Sequence, residues 1–470
     1  MGQLGLFFRE RLGWESHLRP FLEKPLPGDL NWTFTLGSLG ALLFLVQAVT
    51  GILLALYYNP SPEHAYQAID YIMKEVTLGR VIRGLHHWGA AAMVICVALH
   101  LVSNFFFGAY KPPRELIWVV GVGLFLLTLA FGFTGYLLPW DQKAYWATVV
   151  GTSVPEEIPL IGPFITHIMR GGEEVSGLTL TRFYAIHVLV LPGLTSLFIL
   201  VHVYLVRVHD IAGHWDTERS GREKTKRFFP DHLLKSAVVF TVLFSALLIL
   251  ACFVEPPRED IAMTPDPAYL PRPEWYYLWL FELLTYFSGS AEMIGTIVIP
   301  LGGILLLISL PFLSRLPLRS PADRPVATAA AVTCLAAIVY LTLMGMEDSR
   351  EYSHMVLVPD RRLTEQESEG LKVWFERDCA YCHHVLGKGG RQEGPDLSNV
   401  IAKGRTKEWL IRYIRDPKAV KNWTTMPKYD LTEVELNALA VFILTLDFDR
   451  YEPKIIHRKE IIPSTSSDNG

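Results

Sequence analysis

Charge is scarce in this chain of 470 residues: Asp, Glu, Lys and Arg make up 19% of it, and the net charge is −4 at pH 7. With a pI near 6.4 and no basic arm, it offers no electrostatic footprint for nucleic acid. Cysteine is scarcer still, five in all. Cys96, Cys252 and Cys334 stand singly in apolar runs, the setting of a packed, inert thiol. The opening stretch MGQLGLFFRERLGWE lacks the long apolar core of a cleavable signal peptide and reads instead as an interfacial amphipathic helix.

What the chain has in quantity is apolar surface. Half of its residues are hydrophobic, 12% are aromatic, and the mean hydropathy is +0.26, too apolar for an ordinary soluble chain. Seven apolar runs, at about 33–57, 84–107, 116–138, 184–207, 235–253, 295–313 and 326–345, are long enough to cross a bilayer as helices. Lys111, Arg114, Arg219, Arg222, Lys224, Lys226, Arg227, Arg315, Arg319 and Arg324 fall in the connections on one side, so the N-terminus is expected in the cytoplasm. Seven crossings then put everything after about residue 346 outside.

Two of the runs carry paired histidines. His86 and His100 are fourteen residues apart, and His187 and His202 fifteen. At about 100° and 1.5 Å per residue, each pair returns to one helix face within roughly 40–60° and is separated by about 21 Å along the axis. Two such helices side by side present facing imidazoles at two depths, which suits two stacked bis-histidine haems. A lone histidine in such a run would read as a hydrogen-bonded core residue. Four at matched depths point to ligation, because polar groups in hydrocarbon are costly. Gly37 and Gly51, and Gly121 and Gly135, repeat the fourteen-residue interval in the first and third runs. Glycine lets a flat macrocycle or a neighbouring backbone come close, so the four helices are expected to enclose both haems.

From about residue 346 the composition is that of a soluble domain: an amphipathic helix, LTEQESEGLKVWFERDCAYCHH, ends in Cys379-Ala380-Tyr381-Cys382-His383. C-x-x-C-H is the attachment pattern of a c-type haem, with His383 as proximal ligand. A zinc half-site or a thioredoxin-type pair would need a second Cys pair or a βαβ surround, and neither is present. Met426 is the one methionine after Cys382 and so the candidate sixth ligand; His384 reads as a surface neighbour. Haem of this type is attached outside the cytoplasm, in agreement with the loop charges.

Glu274 lies among rings in Pro273-Glu274-Trp275-Tyr276. It reads either as a solvated interfacial carboxylate or as the proton acceptor for a hydroquinone, a partly buried base with its pKa raised toward a useful range. Arg83, Arg114, Arg182 and Arg207, near the ends of the candidate haem-bearing helices, could each pair with a haem propionate or snorkel to headgroups.

These residues carry a family resemblance. R-x-x-H at His86, KPPREL, FGFTGYLLPWDQ, LTRFYAIH and the fifteen-residue gap make residues 1–215 similar to the cytochrome b of b6f-type complexes. PEWY and RPVAT make 216–345 resemble their three-helix subunit IV. A linker (346–365), a mono-haem cytochrome c-like domain (366–450) and a polar, disordered tail (451–470) complete the chain. The implied fold is mainly α: a four-helix haem bundle, a three-helix module and a small all-α class I-type cytochrome c domain.

The resemblance implies a quinol:cytochrome c reductase running a Q-cycle in the cell membrane. His86 and His187 would hold an outer b-type haem and His100 and His202 an inner one. Glu274 would serve quinol oxidation, with Tyr136, Trp140 and Tyr276 lining the pocket. The implied partners are a quinone, membrane lipid, a cytochrome c or other acceptor, a second copy of the complex, and a Rieske iron–sulfur protein. The Rieske protein must be another chain, since no C-T-H-L-G-like and C-x-x-C-H-x-S pairs occur here. Thr35 stands where b6f proteins carry the cysteine that attaches an extra haem, so covalent attachment there is not expected, while a non-covalent one stays open. His87 replaces a basic residue usual in the family. The alternatives are a di-haem electron wire of a dehydrogenase anchor, without bifurcation, and a channel or transporter; the last leaves C-x-x-C-H unexplained.

Overall fold

The computed structural model describes residues 7, 11, 19–28, 30–215, 225–262, 272–287, 291, 293–313, 317–346, 355–388, 394–421, 424, 426–449 and 451–461. Most of the expected N-terminal amphipathic helix lies outside them, as do Arg219, Arg222 and Lys224. Seven helices are long and apolar enough to span: Trp32–Ala55, Gly79–Phe106, Glu115–Tyr136, Gly177–His209, Phe228–Phe253, Ile294–Leu313 and Pro325–Met346. Each bonds its own backbone, as hydrocarbon demands. Their outward faces carry exposed Leu, Ile and Val, such as Leu45, Ile52, Leu200, Val242 and Leu305, which water would penalise and lipid does not.

The chain forms two compact units, the spanning bundle and the C-terminal domain. In the bundle, the first and fifth spans pack on the second, and the fourth and sixth on the third. Gly84 permits the second of these contacts, since a Cβ there would lie 2.7 Å from the Ala251 Cβ. Trp118 ties the third span to the sixth by donating to the Leu307 carbonyl at 2.7 Å.

The fourth span is not a regular α-helix. A π-helical turn occupies Ile186–Val190, directly before Leu191-Pro192. Proline has no N–H to close the preceding ladder, and a π turn takes up one extra residue. The fifteen-residue spacing of His187 and His202 therefore matches the axial interval that fourteen residues cover on the second span.

Several cations that mark the loop-charge bias are structural. Arg324 donates to Tyr110 Oη at 2.9 Å and to the Phe105 and Phe106 carbonyls, Arg319 reaches the Phe107 and Gly213 carbonyls, and Lys111 is 2% exposed. Arg324 and Arg319 satisfy carbonyls freed at the end of the second span.

The C-terminal unit is built on helices Glu365–Glu376 and Glu433–Thr445, packed closely because Gly370 has no Cβ to strike the Ala438 carbonyl, which would be 2.1 Å away. Trp374, Phe375, Leu371, Leu436 and Phe442 fill its core. The stretches expected as linker and disordered tail are partly ordered: Met355–Pro359 pairs antiparallel with Pro453–His457. Alternating Val356 and Val358 with Leu357, all buried, make 355–359 a strand that the tail covers.

A capping box starts the first of these helices, with Thr364 Oγ1 accepting from the Glu367 amide and Glu367 accepting from the Thr364 amide. Arg361 donates to both Glu367 oxygens at 2.7 and 2.8 Å, and these bonds hold the carboxyl below its usual range. A depressed carboxyl pKa contributes stability that is fully present above the unfolded value of about 4.3 and is lost as pH falls through the folded one. Glu367→Gln is expected to lower stability at pH 7 by about 1–3 kcal/mol and to flatten the acid dependence below about pH 4.5, read by urea-titrated pulse proteolysis of the C-terminal unit.

Candidate haem bundle and quinol site

Each of the four histidines lies against one of the four glycines. A Cβ would stand 3.1 Å from His86 Cε1 at Gly51, 3.0 Å from His100 Cε1 at Gly37, 2.8 Å from His187 Cε1 at Gly135 and 3.3 Å from His202 Cε1 at Gly121. The pairing follows from antiparallel neighbours: the first span runs against the second, so 51 meets 86 and 37 meets 100. What approaches the glycines is thus the imidazole edge itself.

Two threonines set the ring state. Thr50 Oγ1 lies 2.9 Å from His86 Nδ1, and Thr134 Oγ1 lies 2.9 Å from His187 Nδ1. Each hydroxyl also donates within its own helix, to the Val46 and Ala130 carbonyls at 2.7 and 2.8 Å. A hydroxyl has one proton, so toward the ring it accepts, which puts the imidazole proton on Nδ1 and leaves the Nε2 lone pair free for a metal. These threonines were missed from sequence, although Thr50-Gly51 and Thr134-Gly135 share a Thr-Gly pattern.

The His86 and His187 ring centres are 6.3 Å apart. Two metal–imidazole bonds of about 2 Å, plus about 1.1 Å from each nitrogen to its ring centre, need about 6.2 Å. His100 and His202 interact electrostatically; Asn104 Nδ2 lies 3.2 Å from His100 Nδ1 and 3.3 Å from its Nε2, and donates to the His100 carbonyl. Among the described residues no group of three or more His, Cys, Asp or Glu could hold a bare ion. Pairs suit a macrocycle that brings its own four nitrogens, so the donor set fits haem.

In the C-terminal unit Cys379–Cys382 is one helical turn, entered through Asp378 in the left-handed region (φ 50°). His383 Nδ1 lies 3.0 Å from the Pro395 carbonyl and donates to it, so Nε2 is again the free donor atom. Burial holds His383 below its ordinary pKa, in the neutral form that ligation needs. Cys379, His383 and Met426 line one cleft, walled by Trp374, Leu397 and Ile443. These residues fit a thioether-linked haem. His384, expected at the surface, is mostly buried and lies 3.6 Å from Asp396.

Glu274 is half-buried and accepts from Lys143 Nζ at 2.7 Å. The acid expected among rings therefore has a cation against it, a partner that sequence reading missed. The Tyr276 ring lies over Gly132, with Oη 2.7 Å from where a Cβ would be, and Tyr136 donates to the Ala147 carbonyl at 3.3 Å. Trp140, with φ +54°, is packed in an apolar cluster with Leu137, Leu180 and Phe183. Arg83 is buried and donates to the Pro256 carbonyl at 3.4 Å, Arg114 to the Asp210 carbonyl at 3.0 Å, and Arg182 to the Ile168 carbonyl, while Arg207 lies over the Phe228 ring. Thr35 is buried, with its hydroxyl on the Trp32 carbonyl.

The arrangement has known counterparts. Residues 21–210 match the family described as cytochrome b/b6/petB, 258–358 the cytochrome b(C-terminal)/b6/petD family, and 368–447 the cytochrome c family. The cytochrome bc complex cytochrome b subunit of Chlorobaculum thiosulfatiphilum is 37% identical over 315 residues, 66% of this chain and 73% of that protein. The chain belongs to the cytochrome b subunits of cytochrome bc complexes. Cytochrome b6 of Synechococcus sp. (strain CC9311) is 41% identical over 207 residues, 44% of this chain and 95% of that protein. A solved chain described as hyperthermophilic respiratory Complex III superposes with a TM-score of 0.66 at 28% identity, over 73% of this chain and 91% of that one. The family is one of multi-pass membrane proteins, and its b- and c-type domains imply b- and c-type haem.

Two outcomes are expected. Pyridine haemochrome spectra of the purified complex should give two b-type haems and one c-type per chain, only the c-type surviving acid–acetone extraction. Gly135→Val, which drives carbon into the His187 ring, should lower the b:c ratio from about 2 toward about 1 without removing the c-type signal.

Proposed function

We propose that this chain is the electron-carrying core of a quinol:cytochrome c-type reductase that oxidises quinol on one face of the membrane and reduces quinone on the other, as a Q-cycle. The observation that carries the reading is the His86–His187 pair, ring centres 6.3 Å apart, with each Nδ1 taken up by a threonine hydroxyl. In it His86 and His187 hold one b-type haem, His100 and His202 a second, and Cys379, Cys382, His383 and Met426 a c-type haem. When bound, these groups supply one-electron redox chemistry across the bilayer and in the C-terminal domain.

Glu274 takes the proton of the quinol hydroxyl. Its place beside the His86–His187 level is supported by His87, next in the chain to His86, which interacts electrostatically with both Glu274 and Lys143. Tyr276 and Tyr136 shape the pocket at that end of the third span. Domains divide at about 215, 345, 365 and 450, with the N-terminus cytoplasmic and the cytochrome c domain outside. A separate Rieske protein takes one electron of each pair, the complex works as a homodimer in the cell membrane, and a cytochrome c or similar carrier accepts from the C-terminal domain.

The test separates this reading from a simple electron wire. Glu274→Gln should slow quinol oxidation by at least about tenfold at pH 7, the low end of what a positioned base supplies, while both b-type spectra persist. A variant with full rate and unchanged response to inhibitors of that site would favour the wire.

A further inference from the structure

Lys143 stands at an electrostatically unfavourable place. It is the second residue of the helix Gln142–Ser153, whose N-cap Asp141 accepts from the Ala144 amide at 2.8 Å. A helix start carries partial positive charge, so a lysine in its first turn is opposed by the dipole. The side chain is also only 28% exposed. What compensates it is the carboxylate of Glu274, 2.7 Å away on a side chain 20% exposed.

The backbone around Lys143 is held in place. Asp141 pairs in a β-bridge with Ile261 and accepts from the Glu259 amide, the Gln142 amide donates to the Asp260 carbonyl, its side chain donates to the Ile261 carbonyl, and the Ala262 amide donates to Trp140. The segment that carries Lys143 is thereby stitched to residues 259–262. From the second span His87 faces both members of the pair, with Arg83 beside His87.

We propose that Lys143 is a positioning residue for quinol oxidation: its ammonium, 2.7 Å from the Glu274 carboxylate, fixes that carboxylate in the orientation in which it accepts the quinol proton. This rests on the proposed role of Glu274. The step concerned is a proton transfer alone: one quinol O–H breaks, an O–H forms on Glu274, and the quinol is left as its singly deprotonated anion. A charge-assisted bond at this distance fixes the direction of the carboxylate, so without it the base is free to turn away from the reacting hydroxyl.

The experiment measures quinol oxidation by the intact purified complex from pH 5.5 to 9, with a short-tailed menaquinol analogue and its ubiquinol counterpart. Lys143→Met should lower kcat by about five- to tenfold with KM within about twofold. Lys143→Arg should restore kcat. In a Glu274→Gln background, Lys143→Met should add less than about a twofold effect, because two residues acting through one contact are not additive. An unchanged kcat in Lys143→Met, or a loss that persists in full in the Glu274→Gln background, overturns the proposal. Lys143→Gln is the second neutral variant; if both neutral variants lose the b-type spectra, Lys143 is structural and the proposal falls. Full activity of Glu274→Gln alone would instead refute the quinol-site reading, a separate failure.

Discussion

The bundle depends on a contact that a single carbon atom would abolish: the imidazole edge against a glycine that has no Cβ. It occurs four times, at 51 with 86, 37 with 100, 135 with 187 and 121 with 202. Helices in lipid gain little from hydrophobic association, since the tails are as apolar as leucine, so close approach has to come from small residues. Here the same absence of side chain that brings the helices together also makes the groove in which a polar ring sits. Packing and ligand placement are one constraint.

The threonines add chemistry to that shape. An imidazole in hydrocarbon needs a partner for each nitrogen, and a ring whose proton could sit on either would ligate poorly. Thr50 and Thr134 spend their own proton on the helix backbone and so can only accept from the ring. The same logic recurs in the C-terminal unit, where a backbone carbonyl, that of Pro395, takes the place of the hydroxyl for His383. Two unrelated folds thus reach the same ring orientation with different acceptors.

Much of the site was legible because its signals are local or periodic. C-x-x-C-H needs only five consecutive residues, and the histidine and glycine intervals need only the helical repeat. The spans themselves follow from composition, and their observed bounds lie within a few residues of the expected ones, apart from the starts of the second, fourth and fifth spans, which extend further. What was not legible depends on distant segments meeting. Lys143 and Glu274 are 131 residues apart, and no pattern in either segment announces the other. Trp140 read as a pocket residue from its neighbours in the motif, yet its ring is taken up in a core cluster. The pairing of 355–359 with 453–457 was missed because each strand is short and ambiguous alone, and only the partner makes either one a strand.

By itself the sequence determined that seven segments are long and apolar enough to cross a membrane, that four histidines recur at helical intervals, and that a c-type haem motif follows them. Those properties belong to hydropathy, to the 3.6-residue turn and to covalent chemistry, all of which act within one segment. The tertiary structure decided which glycine faces which histidine, which nitrogen of His86 and His187 is free, and that a cation sits on Glu274. It also decided that intervals of fourteen and fifteen residues are equivalent. The physical reason is the π turn at Ile186–Val190, which absorbs one residue before Pro192 and brings the second pair of rings level with the first.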